Sequence, residues 1–153
     1  MPKALLYSYA AFLLAYLIGS LSFAVIVSRA MRLPDPRGYG SQNPGATNVL
    51  RSGSRTAAVL TLLLDAVKGY APVALAKWQS FEWGFDDTTI AFVGVCAFVG
   101  HLWPVFFRFA GGKGVATALG VLLAFDVWLG LCVLGTWIMV AALTRYSSLA
   151  AIV

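Results

Sequence analysis

From Ala4 to Ser28 the chain carries no charged side chain and is mostly apolar. About 20 such residues, rising ~1.5 Å each, cross the ~30 Å hydrocarbon core of a bilayer with every backbone polar group bonded inside the helix. The run is too long for the apolar part of a signal peptide and lacks a convincing cleavage site. Despite the leading Met1-Pro2-Lys3, it reads as a retained first span, Ala4 to about Val27. With 60% hydrophobic and 11% charged residues, the chain has too little polar surface to wrap a water-soluble core. The expected class is all-α, a polytopic transmembrane helical bundle.

No Pro/Ser-rich linker, charge run or low-complexity tract divides the 153 residues, so they read as one domain. A basic loop follows the first span, with Arg29, Arg32, Arg37, Arg51 and Arg55 against Asp35 alone, and Pro34, Pro36 and Pro44 bar a continuous helix through it. Segment two runs from about Thr56 to Ala76 and holds Asp65 and Lys68, three residues apart on one helix face. Ionisable groups at that depth must pair or face the bundle interior. The loop from Lys77 to Asp87 is acidic, and segment three, about Thr88 to Phe107, carries the single histidine, His101. A second glycine loop, Arg108 to Gly114, follows.

From Val115 to Thr144 the only charge is Asp126. One helix of that length is too long; a split at Asp126 leaves a first piece of only ~16 Å, expected to stop part-way across. Loop charge favours the split. With the arginine loop inside, Lys77 falls outside, and Arg108, Lys113 and Arg145 fall inside. Five spans result, with both glycine-rich loops on the cytoplasmic face. The final apolar run, Ser147 to Val153, is too short to span, which suggests a chain cut within a longer domain.

The formal charge of +5 is interleaved with spanning segments instead of forming a stripe. It therefore points to anionic lipid or an anionic substrate, and not to nucleic acid. Cys96 and Cys132 lie in apolar runs without a CxxC pair and read as small buried hydrophobes. Trp83, Trp103 and Trp128 read as interface anchors.

Gly38-Tyr39-Gly40-Ser41-Gln42-Asn43-Pro44-Gly45-Ala46-Thr47-Asn48, closed by Arg51, is dense in hydrogen-bonding groups on a kinked backbone. Both glycine loops are expected to lead directly into helices, so that two helix N-termini, Arg51 and Lys113 face one side and suit a phosphate monoester. Ser41, Asn43, Thr47 and Asn48 add groups for the hydroxyls of a small polar molecule. Each feature also has a plainer explanation: a tight turn with a snorkelling Lys113, an Asn-Pro turn, an Asp65–Lys68 pair locking helices together, a packed core His101. Gly111-Gly112-Lys113-Gly114 is not a Walker A loop, since Phe107 and Gly114 stand at its Gly and Ser/Thr positions. There is no G-x-S-x-G elbow, no zinc-type ligand spacing, and Phe106 occupies the acid position of a His-x-x-x-x-Asp box. Acyl transfer here would rest on positioning and electrostatics. The rival class is a transporter or flippase for an organic phosphate, and a third is a membrane scaffold.

Three motifs carry a family resemblance: Gly40 to Arg51; Asp65-x-x-Lys68-Gly69; and Gly100-His101-x-x-Pro104 followed by Gly111-Gly112-Lys113-Gly114-Val115-Ala116-Thr117. In order and spacing the chain resembles the bacterial acyl-phosphate:glycerol-3-phosphate acyltransferases. The resemblance implies an enzyme of phospholipid synthesis that moves a fatty acyl group from acyl phosphate to glycerol 3-phosphate, giving 1-acyl-glycerol-3-phosphate (lysophosphatidate). It implies a bacterial inner-membrane location, seven spans with a cytoplasmic active site, and no cofactor or metal. Membrane lipid and an acyl-phosphate-producing enzyme are the implied partners. Residue by residue, it marks Ser41, Arg51, Lys113 and His101 as catalytic. Asn43, Gly45, Thr47, Asn48, Lys68, Gly111, Gly112, Gly114 and Thr117 are marked as substrate-binding. The chain departs from the family pattern at Gln42 and Arg108, where glycine is common, and at Ala110. The family's last two helices and its third motif are expected beyond Val153.

Overall fold

The computed structural model describes residues 3–152; Met1, Pro2 and Val153, at the outer ends of the first and last runs, lie outside it. Among the described residues every regular element is a helix: α1 (Lys3–Gly19), α2 (Phe23–Ala30), α3 (Ala46–Leu50), α4 (Arg55–Trp78), α5 (Ser80–Trp83), α6 (Asp87–Leu102), α7 (Val115–Phe125), α8 (Val127–Thr144) and α9 (Ser147–Ala150). Short 3₁₀ turns lie at Pro36–Gly38 and Val105–Phe107. The all-α membrane bundle holds. By length and composition three helices can cross a bilayer, α4, α8 and α6 counted through its 3₁₀ turn to Phe107, or up to four if the bent α1–α2 pair is one span. The 11-residue α7 is apolar but shorter.

The first span is not the continuous helix expected. It leaves helical geometry at Ser20–Ser22 and resumes bent by 45°. Just before the break, Gly19 lies against the backbone of Ala97, and Gly100 lies against that of Tyr16. Two glycines thus let α1 and α6 meet backbone to backbone. The break frees the Leu21 carbonyl, which accepts a hydrogen bond from Lys68 Nζ on α4. The same ammonium stands 5.7 Å from the centroid of the Phe23 ring. A side chain distant in sequence therefore stabilises the bend, which is why hydropathy alone reads straight through it.

Helix directions follow from paired contacts. Phe12 meets Phe92 at 6.0 Å between centroids and Gly19 meets Ala97, so α1 and α6 run parallel. Thr117 bonds to the Asp65 carbonyl and Lys77 Nζ reaches the carbonyls of Ala124 and Phe125, so α4 and α7 run parallel as well. Tyr7 lies 6.1 Å from Trp83, beside the α4–α6 connection. One end of the bundle therefore holds Lys77, the acidic loop and Asp126. The other holds the arginine loop, both glycine loops and Arg145, the shared face expected from loop charge.

Asp126 splits the long apolar stretch as expected, and its carboxylate caps α8 by accepting from Leu129 N–H at 2.8 Å. The 11 residues of α7 are short for a different reason than expected. Thr117 is two residues into α7, and its partner Asp65 is ten residues into α4. The difference of eight residues sets the start of α7 about 12 Å deeper along the common axis than that of α4. Helix α6 ends at Leu102, five residues before the expected end, because Pro104 cannot continue it. Its C-terminal Trp103 carbonyl is taken by Tyr16 OH at 2.9 Å. Cys132 is exposed on α8 and Cys96 half-buried, so the former is not a core residue of these helices. Trp103 and Trp128 are exposed, whereas Trp83 packs edge-on against Phe85.

Candidate functional site

The first glycine block is organised by Asn48, which is 2% exposed. Its amide nitrogen donates to the carbonyls of Pro36 (2.6 Å) and Tyr39 (3.1 Å), and its Oδ1 accepts from Ser41 N–H (3.1 Å) and Arg51 Nη1 (3.3 Å). Both donors and both lone pairs are used. Asn48 therefore ties the loop together and turns Arg51 and Ser41, both exposed, toward the same surface. Asn43 and Gly45 are half-buried and Thr47 exposed in the turn around α3. The block does not lead directly into a long helix. Five-residue α3 and the turn at Ser52–Ser54, with Gly53 at φ 88°, come between. The N-terminus of α4 is capped by Ser54 Oγ, 3.2 Å from Ala57 N. The groups this loop offers to an anion are side chains and loop amides, since a five-residue helix has little dipole.

The second loop does enter its helix directly. Gly114, at φ 74°, is the N-cap of α7 and supplies no side chain, so no side-chain cap occupies the first amides. The loop is moulded on His101: Gly112 N–H donates to the His101 carbonyl at 3.2 Å. A methyl group on Gly111 would overlap that carbonyl, and one on Gly112 would overlap the imidazole Nε2. Lys113 is exposed at the tip. It borders a crevice of ≈ 320 Å³ between α6, α7, α8 and α9, whose other walls include Phe98, Leu119, Val133 and Trp137. The buried Trp137 N–H has no partner there.

Beneath this loop lies a buried polar cluster. Asp65 and Lys68 pair at 2.8 Å with side chains 4% and 2% exposed. Thr117 Oγ1 bonds to the Asp65 carbonyl at 3.0 Å and stands 3.1 Å from His101 Nδ1. Removing one member of such a buried pair typically costs about 3–5 kcal/mol. Lys68 is committed to Asp65, the Leu21 carbonyl and the Phe23 face, and Thr117 to Asp65 and His101. Neither is aimed at the loop surface. Sequence spacing pairs Asp65 with Lys68, but not with the Leu21 carbonyl, because the break that exposes it is a tertiary feature.

The segments that lead into the two loops meet at Arg37, whose guanidinium lies 5.8 Å from the centroid of the Phe107 ring. Arg37 also pairs with Asp35 at 2.7 Å, and its hydrogen bonds hold the Asp35 carboxyl below the usual carboxylate range. Ser41, Arg51 and Lys113 share one end of the bundle; His101, Thr117 and Lys68 lie below it. Among the described residues no three His, Cys, Asp or Glu side chains gather as metal ligands. Arg51 and Lys113 are thus exposed cations at the same end of the bundle, and Lys113 stands next to an apolar crevice.

Residues 9–153 match the family model described as glycerol-3-phosphate acyltransferase. The chain is 65% identical over 92% of its length to a glycerol-3-phosphate acyltransferase of Ralstonia pickettii, covering 68% of that protein. To the protein of the same name in Albidiferax ferrireducens it is 64% identical over 94% of its length, covering 64% of it. It therefore spans about two thirds of the length of these curated relatives. Its fold matches the crystal structure of PlsY (YgiH), an integral membrane glycerol 3-phosphate acyltransferase, in the glycerol 3-phosphate form. The TM-score is 0.86 at 38% identity, over 95% of this chain and 71% of the other. The form of that enzyme with lysophosphatidic acid matches at a TM-score of 0.84. On these matches, the chain belongs to the glycerol-3-phosphate acyltransferase family.

Proposed function

We propose that the protein transfers a fatty acyl group from acyl phosphate to the terminal hydroxyl of glycerol 3-phosphate, releasing lysophosphatidate and inorganic phosphate. The observation that carries this reading is the position of Lys113, at the tip of a recessed glycine loop and on the rim of an apolar crevice. A phosphate head at the loop amides and an acyl chain in the crevice meet at that point. Glycerol 3-phosphate docks its phosphate on Arg51, with Ser41 beside it and Asn43, Gly45, Thr47 and Asn48 shaping the turn. Its hydroxyl oxygen bonds to the acyl carbonyl carbon, and the bond from that carbon to the phosphate oxygen breaks. Lys113 and the loop amides other than that of Gly112, which is held by the His101 carbonyl, stabilise the charge on the departing phosphate, one of whose oxygens takes the hydroxyl proton.

The relatives named above support acylation of glycerol 3-phosphate; the acyl-phosphate donor is our assignment. The arginine-rich end is assigned to the cytoplasmic side of a bacterial inner membrane by the positive-inside rule. A donor made by a soluble enzyme would reach the loops there. Carriage of a phosphate through the bundle is less well supported, since the deep charges Asp65 and Lys68 are committed to each other and to the Leu21 carbonyl.

The test is incubation of the purified protein in lipid with labelled glycerol 3-phosphate and either acyl phosphate or acyl-CoA. Lysophosphatidate from acyl phosphate alone is expected. No product from it sinks the proposal, and product from acyl-CoA alone overturns the donor assignment.

A further inference from the structure

The hydroxyl of Thr117 has one proton and two polar neighbours, the Asp65 carbonyl at 3.0 Å and His101 Nδ1 at 3.1 Å. A carbonyl only accepts, so the hydroxyl proton points to Asp65. The contact with His101 must then be donated by the ring, through Nδ1–H. Asp65 Oδ1 lies 3.7 Å from the same nitrogen, which favours a proton at that position. The carboxylate is already paired with Lys68 at 2.8 Å, so no free negative charge is left to hold a second proton on the ring. His101 is therefore a neutral imidazole protonated at Nδ1. Its Nε2 edge is closed by the α-carbon of Gly112, where a methyl group would overlap it. The backbone carbonyl of the same residue accepts Gly112 N–H at 3.2 Å.

These contacts form one continuous path. It runs from the Leu21 carbonyl at the break in the first span, through Lys68, Asp65, Thr117 and His101, to the backbone of Gly112, next to Lys113. We infer that Asp65, Thr117 and His101 are positioning residues, which seat the glycine loop at a fixed depth under Lys113. His101 acts through its Nδ1–H tautomer and its fit to Gly112, and carries no proton in the reaction. This inference rests on the acyl-transfer reading, and it agrees with a substrate phosphate oxygen as the proton acceptor.

His101 is the single histidine of the 153 residues, so ¹⁵N-histidine labelling reports on it directly, with His101→Gln to assign the signal. In the protein in lipid at neutral pH, Nδ1 is expected to be the protonated ring nitrogen and Nε2 the bare one. A bare Nδ1, or an imidazolium, overturns the inference whatever the activity. The kinetic arm uses His101→Asn, whose side-chain N–H can replace the Nδ1–H but leaves the Gly112 side unfilled. Its KM for glycerol 3-phosphate is expected to rise about tenfold or more, with kcat within about tenfold and the shape of the pH–rate profile unchanged. A kcat fall of about a thousandfold at unchanged KM, with one limb of the pH profile lost, would make His101 a general base and refute the positioning role. If the parent protein makes no lysophosphatidate, the acyl-transfer reading fails; the tautomer is measured independently of that outcome.

Discussion

Gly40 and Gln42 both sit at φ 58°, in the region that L side chains avoid, and substitutions at the two have opposite expected signs. At Gly40 a methyl group meets the Oδ1 of Asn48, the atom that holds Ser41 and Arg51. Gly40→Ala should lower the thermal midpoint and destabilise by more than the ~1–2 kcal/mol that left-handed geometry alone costs. Gln42→Gly removes that strain and loosens the unfolded chain, for a net stabilisation of zero to about 1 kcal/mol. Thermal unfolding in detergent measures both; a stabilised Gly40→Ala would remove Asn48 from its organising role. Arg108, at φ 55°, occupies the same region. Two positions where the chain departs from a glycine common in the family pattern thus fall on left-handed backbone. The departures are visible in the sequence, but the conformation that explains them is not.

Among the elements, glycines decide how closely the helices approach. A methyl group on Gly120 of α7 would overlap the Ala66 carbonyl of α4, while one on Gly135 of α8 meets nothing. Gly120→Ala should destabilise by about 1–3 kcal/mol as α4 and α7 are forced apart, and Gly135→Ala should stabilise by up to about 1 kcal/mol through helix propensity. Equal effects at the two sites would contradict the tight α4–α7 crossing. At the start of α6, Asp86 accepts from Thr89 N–H at 2.7 Å, and hydrogen bonding from Thr89, its side chain first and its backbone second, lowers the Asp86 pKa. Its stabilising effect is then full above the unfolded carboxylate pKa and is lost as pH falls through the lower folded value. The thermal midpoint of the parent should exceed that of Asp86→Asn at neutral pH, with the gap holding down to about pH 4 and closing only as the pH falls below that. A gap independent of pH would show that the carboxylate charge is irrelevant to the cap.

The element pattern was legible where hydropathy and single residues suffice. Asp126 marks both a split and a cap, and Pro104 stands where α6 cannot go on. The bend in the first span and the short α3 were not legible. The bend depends on the Gly19–Ala97 contact and on Lys68, and α3 on the Asn48 hydrogen bonds, all of them long-range or loop-specific.

For the whole molecule, loop charge alone places the two glycine loops at one end, and the parallel α4–α7 pair puts them there in the structure. The recess of α7 by about 12 Å could not be read from the sequence, because it depends on Thr117 reaching the Asp65 carbonyl. That recess sinks the N-terminus of an 11-residue helix beside an apolar crevice bordered by Lys113, the site proposed above. The unity of the site is tested most directly by a double-mutant cycle on kcat/KM for glycerol 3-phosphate with acyl phosphate, using Arg51→Ala, Lys113→Ala and both together. Each single change is expected to lower kcat/KM by about 10²–10³ with the protein still folded. If both cations act on one transition state, the double variant loses clearly less than the product of the two single losses. Free-energy losses that add to within about 0.5 kcal/mol, or unchanged kinetics in either single variant, would contradict a shared site.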